Sequence, residues 1–507
     1  MFDIYKVFSF FKKNFNRKDI FLGISLVALF FLTRIIFLDK LPIFSDEGIY
    51  IHWARIAWHD ASWRFISLTD GRQPLQTWGT IPFLKLFPEN LLFGGRMFSV
   101  AAGFTSLAGL FSLLFYLFGK KTAFLGVFLY IFTPFFLFYD RMALADSAVN
   151  TGFIWILFFS ILVVKTLRLD LALFFGITAG LAMLTKSSVR LFIMLSAFAP
   201  VLIWDKKFGK NIINKTLNYF ILFTFVFTIA IVIYNIQRLS PFMHYIEQKN
   251  NTFVMPFAEF IKSPFTVLWP NLKLIPYYVF SEMGWLTGFL GVTGLILILK
   301  NNLNLGLYFS IWLFVPYFVI AGLSRVIFPR YLIFLATLLT IFSAYFLSNL
   351  KSKLIKLILL TIFLLISAFY AYGFYFNPSV IPFPEIDKGQ YVEGETAGFG
   401  AKEMMEFARV KSKEKQVVIL AEGNYGLIGD VLNVFLKDDD RINIRGFWPL
   451  DEKVLIANQK ELKENLVYVV FSQRKDFPTN WPIKLIKKYD KLGNRTAYYL
   501  FELLPNQ

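Results

Sequence analysis

Residues 38–78 read LDKLPIFSDEGIYIHWARIAWHDASWRFISLTDGRQPLQTW. This is the first long polar interruption after an apolar run that opens the chain. It holds two adjacent carboxylates, Asp46 and Glu47, and closes on a basic element with proline, Gly71-Arg72-Gln73-Pro74-Leu75. A polar loop between long apolar segments reads as chemistry displayed on one face of a membrane, with the apolar segments holding it there.

The rest of the chain supports that setting. Of 507 residues, 56% are hydrophobic and only 17% are charged. Apolar runs of membrane-spanning length recur, which defines a polytopic α-helical membrane protein. Backbone groups in a bilayer core have no water to bind, so the spans must be helices. The 63 phenylalanines read as lipid-facing and core filler. The net charge of +18 invites a nucleic-acid reading. It falls instead to orientation and anionic lipid, because the basic residues sit in short loops between spans. The chain has no cysteine, which excludes disulfides, thiolate chemistry and cysteine zinc sites.

Spans are expected at 20–38, 92–118, 122–139, 145–165, 171–186, 189–204, 217–234, 283–299, 305–322, 331–348 and 355–376, eleven in all. The basic N-terminus (Lys6, Lys12, Lys13, Arg17, Lys18) reads as the flank of an uncleaved first helix. Eleven spans put it on one side with Lys120, Lys121, Lys165, Arg168, Lys206, Lys207, Lys210, Lys215, Lys300, Lys351, Lys353 and Lys356. The positive-inside rule makes that side cytoplasmic. The loops 39–91 and 235–282 and the C-terminus then lie outside, in a bacterial-type plasma membrane.

Within the first outer loop, Ile49, Trp53, Ile56 and Ala57 recur at helical spacing, with His52, Arg55 and His59 opposite. This predicts an interfacial helix over 48–60 with Trp53 at headgroup depth. A second such helix is expected over 75–87, interrupted by Pro82. The loop 235–282 carries Pro241, Pro256, Pro264 and Pro270, with room for a further surface helix. From about 377 the composition changes, so the chain divides into a membrane domain 1–376 and a soluble extracytoplasmic α/β domain 377–507. Strands are expected at 417–420, 466–471 and 497–501, and helices near 399–410, 426–436 and 456–464. The run Glu422-Gly423-Asn424-Tyr425-Gly426 is too weak to read as a phosphate-cradling motif.

Ionisable residues gather at predicted outer ends of spans: Arg34, Asp39 and Asp46; Arg96; Asp140, Arg141 and Asp146; Lys186; Arg325 and Arg330. Several spans thus deliver acids and bases to one level, which suits chemistry on a phosphate-bearing lipid. The phosphate leaving group needs fixed cations, and an acceptor hydroxyl needs a carboxylate to take its proton.

The same residues carry a family resemblance. The chain resembles the polytopic glycosyltransferases of the GT-C fold that use lipid-linked sugars, most closely the protein O-mannosyltransferases and the bacterial lipid A aminoarabinose transferases. Asp46-Glu47-Gly48 is similar to the family's first-loop acidic pair. Arg72-Gln73-Pro74-Leu75 resembles its Lys-Pro-Pro-Leu element. Arg141–Asp146 (RMALAD), preceded by Asp140, resembles its second outer-loop signature. Gly180–Lys186 (GLAMLTK) and Pro329-Arg330-Tyr331-Leu332 resemble two later ones. The matches cover roughly residues 20–350, and the C-terminal domain lies beyond them.

The resemblance implies inverting transfer of a sugar from a polyprenyl phosphate to a hydroxyl of a lipid, glycan or protein acceptor. Asp46 is then the general base, and Glu47 orients it or binds the acceptor. Arg72, Lys186 and Arg330 contact the donor phosphate, while Asp140, Arg141, Asp146 and Tyr331 shape the acceptor or sugar site. The family's Lys-Pro-Pro is Arg-Gln-Pro here, and its frequent preceding Glu is Gly71. Some relatives hold a divalent metal near that point, so a metal is left open. Each residue also has a plainer use: Asp46 and Glu47 as helix caps, Arg72 and Lys186 as headgroup anchors, Arg96 as an interface anchor, and Asp140-Arg141 as a local salt bridge. His52 and His59 share a helix face, where wetting of the surface outweighs metal binding. The alternatives from other classes are a lipid-linked glycan transporter or flippase, and a membrane assembly scaffold. A transporter predicts charges at mid-span and repeated halves, and the sequence has neither.

Overall fold

The computed structural model describes residues 13–204, 210–263 and 265–505. Lys6, Lys12, Lys206, Lys207 and Pro264, used in the sequence reading, lie outside them, as does the side chain of Lys210. Helices dominate up to Tyr375, and a five-stranded sheet follows.

Six described helices are long and apolar enough to cross a membrane: Leu91–Phe118, Asp146–Thr166, Asn211–Leu239, Leu303–Leu323, Pro329–Asn349 and Lys353–Tyr375. A seventh results if Leu268–Met283 and Trp285–Asn301, bent by 113°, count as one span. The other expected spans are short, charged or broken helices, so eleven is not the number that length and composition return. Arg17–Ile35 carries Arg17, Lys18, Asp19 and Arg34. The 122–139 span is divided into Lys120–Phe132 and Pro134–Tyr139, because Pro134 has no N–H to continue the ladder. The 171–204 stretch gives Leu169–Met183 and Val189–Ser196, then a 3₁₀ turn over Ala199–Ile203. Ile221, Leu354 and Leu365 are each 67% exposed, as expected of helix faces turned to lipid.

The loop 235–282 holds three helices, Tyr245–Phe253, Phe257–Lys262 and Leu268–Met283. The first-loop helix runs over Ser45–His59 and the second over Leu75–Leu86, with Pro82 inside it.

Beyond Tyr375 the sheet has the order β2-β1-β3-β5-β4, from β1 (Val417–Glu422), β2 (Ile442–Phe447), β3 (Leu466–Phe471), β4 (Ile483–Asp490) and β5 (Ala497–Leu503). β1 pairs in parallel with β2 and β3, while β5 pairs antiparallel with β3 and β4. Every residue of β1 is buried, as a central parallel strand requires. Alternation along it divides the packing. Val417, Ile419 and Ala421 join a core continuous with the membrane helices, and Val418 and Leu420 fill a separate core on the other face.

That continuity corrects the interfacial reading of the first-loop helix. Trp53 is buried rather than at headgroup depth, and the helix packs against the sheet domain. A Cβ on Gly48 would sit 3.0–3.1 Å from Val431, on the short helix Ile428–Val434. The polar face expected to meet water meets protein: His52 Nδ1 lies 2.6 Å from Asp430 Oδ1, and Arg55 donates to the Leu436 carbonyl at 2.7 Å and pairs with Asp438.

Candidate active site

Asp46 and Glu47 are adjacent on one helix and therefore point about 100° apart. Their surroundings differ completely. Glu47 is fully buried and accepts four hydrogen bonds, from Arg96 Nε (2.8 Å) and Nη2 (2.7 Å), the Phe44 N–H (2.9 Å) and the Ala143 N–H (2.7 Å). Arg96, equally buried, donates also to the carbonyls of Leu38 (2.7 Å), Leu41 (2.9 Å) and Pro42 (3.2 Å). All five guanidinium N–H groups are therefore used. Arg96 is not an interface anchor, and Glu47 has no lone pair turned to an acceptor. The pair fixes the loop 38–48 from inside.

Asp46 is partly open, at 19% exposure, and is held between two guanidiniums. Oδ1 accepts from Arg72 Nη2 at 2.8 Å, and Oδ2 accepts from Arg330 Nη2 at 2.8 Å. Burial pushes the carboxyl up, but the Arg72 and Arg330 charges outweigh it and hold the group well below the ordinary carboxylate range. Arg72 also donates through Nε to Asp70 at 2.9 Å, and Asp70 pairs with Lys249 at 2.9 and 3.0 Å. Asp70 and Lys249 were not singled out in the sequence. Asp70 stands two residues before Arg72, but nothing marks Lys249 as its partner.

Backbone geometry explains the glycine before Arg72. Gly71 has φ +66°, and a side chain there would overlap the Tyr245 carbonyl. Gln73, where the family has proline, donates to Ser187 Oγ at 2.6 Å, and the Leu75 N–H donates to the Leu184 carbonyl at 2.9 Å. The 72–75 element is thus fastened to the 184–187 turn, so Arg72 and Lys186 come from joined segments. Lys186 pairs with Asp146 at 3.0 Å and sits 3.7 Å over the Tyr331 ring.

Asp46, Arg72, Arg330, Lys186, Asp146 and Tyr331 thus form linked contacts. Asp140 and Arg141 do not join them. Asp140 is fully buried, pairs with Arg34 at 3.3 Å and accepts from Ser147 at 3.0 Å. Arg141 donates to the carbonyls of Thr33, Arg34, Ile36 and Phe37. Both are consumed in tying the first helix to its neighbours, which corrects their reading as acceptor residues and as each other's salt bridge.

Below the 72–75 and 184–187 segments runs an apolar groove of about 530 Å³. Leu75, Phe83, Phe98, Trp155, Leu181 and Thr185 are among its walls. No group of three or more His, Cys, Asp or Glu side chains is placed to hold a metal among the described residues. His52 is engaged by Asp430, and His59 Nδ1 lies 2.8 Å from the carbonyl of Arg55.

The chain shares its fold with solved structures of ArnT and AglB. The structure of ArnT from Cupriavidus metallidurans bound to undecaprenyl phosphate superposes with a TM-score of 0.63 and 14% identity, covering 94% of this chain and 97% of that one. The same protein in the apo state gives 0.60 at 14% identity, with the same coverage. The oligosaccharyltransferase AglB from Archaeoglobus fulgidus, in complex with an inhibitory peptide and a dolichol-phosphate, gives 0.54 at 13% identity and covers 91% of this chain and 69% of that one. The family described as dolichyl-phosphate-mannose-protein mannosyltransferase matches residues 72–234. Comparison with curated proteins by sequence gives no match.

Removing one partner of a buried ion pair leaves an uncompensated charge, which costs about 3–5 kcal/mol. Arg96→Met is therefore expected to lower the unfolding midpoint in detergent steeply. Glu47→Gln/Arg96→Met together should recover part of the loss. A midpoint within the scatter of the parent for Arg96→Met alone would contradict the structural role of the pair.

Proposed function

We propose that the protein is a membrane glycosyltransferase that moves a sugar from a polyprenyl-phosphate donor to an acceptor hydroxyl on the extracytoplasmic face. The observation that carries this reading is the position of Asp46, shared between Arg72 and Arg330 beside segments that roof an apolar groove. The groove's apolar lining suits an isoprenoid tail, and two of its wall residues, Leu75 and Thr185, belong to the segments that carry Arg72 and Lys186. The ArnT and AglB structures hold undecaprenyl phosphate and dolichol-phosphate, respectively, which favours the same lipid class here.

Within the linked site four cations, Arg72, Lys186, Lys249 and Arg330, face three carboxylates, Asp46, Asp70 and Asp146. The excess is one positive charge, which matches the single negative charge of a phosphodiester donor.

The chemistry follows from the same contacts. The acceptor oxygen forms a bond to the anomeric carbon while the carbon–oxygen bond to phosphate breaks. The electron pair leaves with the polyprenyl phosphate, whose growing charge Arg72, Arg330 and Lys186 stabilise. The acceptor proton goes to Asp46. Attack opposite the leaving group inverts the anomeric centre. A carboxylate held by two arginines is a weak base. A donor phosphate that draws on the same arginines loosens their hold and raises its basicity at the moment it is needed. Asp146 and Tyr331 set the position of Lys186. Glu47 acts only by fixing the helix that carries Asp46. A divalent metal has no ready ligand set among these residues, so no step is assigned to one. The transporter and scaffold alternatives give no reason for a carboxylate shared by two arginines.

The test is transfer from a panel of polyprenyl-phosphate sugars by the purified protein in lipid. Asp46→Asn should cut the rate about 10²–10⁴-fold with insertion intact. Arg72→Ala should raise the apparent donor KM about tenfold or more, since charge-assisted bonds contribute about 1.5–3 kcal/mol each. Full activity of Asp46→Asn would remove the base role, and an unchanged donor KM would remove Arg72 from the phosphate. Sidedness has its own readout, because the chain has no native cysteine to interfere. A single cysteine at Glu414 should react with an impermeant maleimide in intact cells, and one at Ser352 only after permeabilisation. The opposite pattern would invert the topology.

A further inference from the structure

The parallel strands β2, β1 and β3 end at one edge, and that edge stands over Asp46. The loop after β1, Gly423-Asn424-Tyr425-Gly426, reaches it: a Cβ on Gly426 would lie 3.6 Å from Asp46 Oδ1. Ligands of open α/β sheets bind at the carboxyl ends of their parallel strands.

The loop has an unusual backbone. Gly423, Tyr425 and Gly426 have φ of +81°, +58° and +86°. For a tyrosine this conformation is uncommon and costs energy. It is held from several sides. The Gly429 N–H donates to the Gly423 carbonyl at 3.1 Å, and Asn424 packs so tightly against Gly446 of β2 that a side chain there would overlap it. The Gly426 N–H donates to Asp430 Oδ2 at 2.7 Å, while Oδ1 of the same carboxylate meets His52 on the Asp46 helix. Asp430 therefore joins the loop to that helix.

What this constraint presents is an aromatic ring. Tyr425 is 60% exposed, and its ring lies 6.3 Å from that of buried Trp53. Trp53 meets Tyr50 edge-on at 6.5 Å, and the Arg72 guanidinium lies 5.2 Å over Tyr50. An aromatic series thus leads from the open loop to the site. Trp448, 64% exposed, follows β2, whose last residue Phe447 is the register partner of Glu422. Two large aromatic residues are therefore exposed on neighbouring loops of one edge.

We propose that this edge is the acceptor subsite and that its occupant is a carbohydrate, with Tyr425 as the stacking residue and Trp448 as a second platform. The C–H face of a pyranose packs on a flat ring while its hydroxyls stay hydrated, so isolated exposed rings in a polar surface suit it better than a peptide or an acyl chain. A fixed ring also binds with little loss of side-chain freedom. The inference rests on the transferase reading for its meaning, since a sugar on Tyr425 brings a hydroxyl toward Asp46.

The test is saturation-transfer NMR on the full chain in lipid nanodiscs, with maltotriose, mannotriose, chitotriose and galactobiose as probes. At least one probe should show saturable transfer. Tyr425→Ala should weaken it about tenfold or more, Tyr425→Phe should retain it, and Trp448→Ala should reduce it. No saturable signal from any probe, or one indifferent to Tyr425→Ala in protein of parental thermal midpoint, overturns the inference. So does full transfer to a peptide or lipid hydroxyl by Tyr425→Ala. Tyr425-dependent binding without transfer from any polyprenyl-phosphate sugar supports the glycan surface and overturns the transferase reading instead.

Discussion

A buried ion pair between Glu47 and Arg96 is the constraint on which the rest of the site depends. Two charges removed from water are tolerated only when their hydrogen-bonding capacity is met. Here Glu47 accepts four bonds and Arg96 donates five, across the 38–48 loop, the Leu91–Phe118 helix and Ala143. The start of the Ser45–His59 helix is therefore fixed in position and direction. The Ser45 N–H is satisfied from a further quarter, the Thr396 carbonyl at 3.0 Å. Asp46 is the neighbour of this anchor and points elsewhere, so its place is set by residues that take no part in the proposed chemistry.

Around Asp46 the sheet domain and the helices act as one structure. Gly48 admits Val431 closely, His52 meets Asp430, and Phe44 pairs with Ala397 in an isolated bridge. The linker also contributes below Arg330: Asp387 accepts from Tyr139 at 2.6 Å and is pushed up by burial toward neutrality. The domain that the family resemblance did not reach is thus built into the site from two directions.

Much of this was legible in the sequence, for definable reasons. Long apolar runs announce a membrane fold whatever their tertiary packing, and β1, β3 and β5 are rich in apolar residues, so all three strands are legible. β4 is not legible because its outward face is lysine-rich, the usual protection of an edge strand. β2, mixed in polarity, is an edge as well. Asp46, Arg72, Lys186, Asp146, Tyr331 and Arg330 could be grouped by motif order and are in linked contact. Glu47, Arg96, Asp140 and Arg141 could not be sorted from them by type, since a buried charge and an exposed one look alike in a string. Their partners lie 49 residues apart for Arg96 and Glu47, and 106 for Arg34 and Asp140. The run Glu422–Gly426 is too weak a phosphate motif to read in the sequence, and its significance is a matter of where it docks. Period-3.6 patterning on Ser45–His59 correctly gave a helix, but not whether its polar face meets water or Asp430.

On the proposed transferase reading, Asp46 and the donor phosphate compete for Arg72 and Arg330. Binding of undecaprenyl phosphate to the lipid-embedded protein, measured for the parent and for Asp46→Ala, tests it most directly. Asp46→Ala should bind undecaprenyl phosphate more tightly, because removal of the carboxylate frees both guanidiniums for the phosphate. Binding that is weaker, or indistinguishable from the parent's, would contradict it.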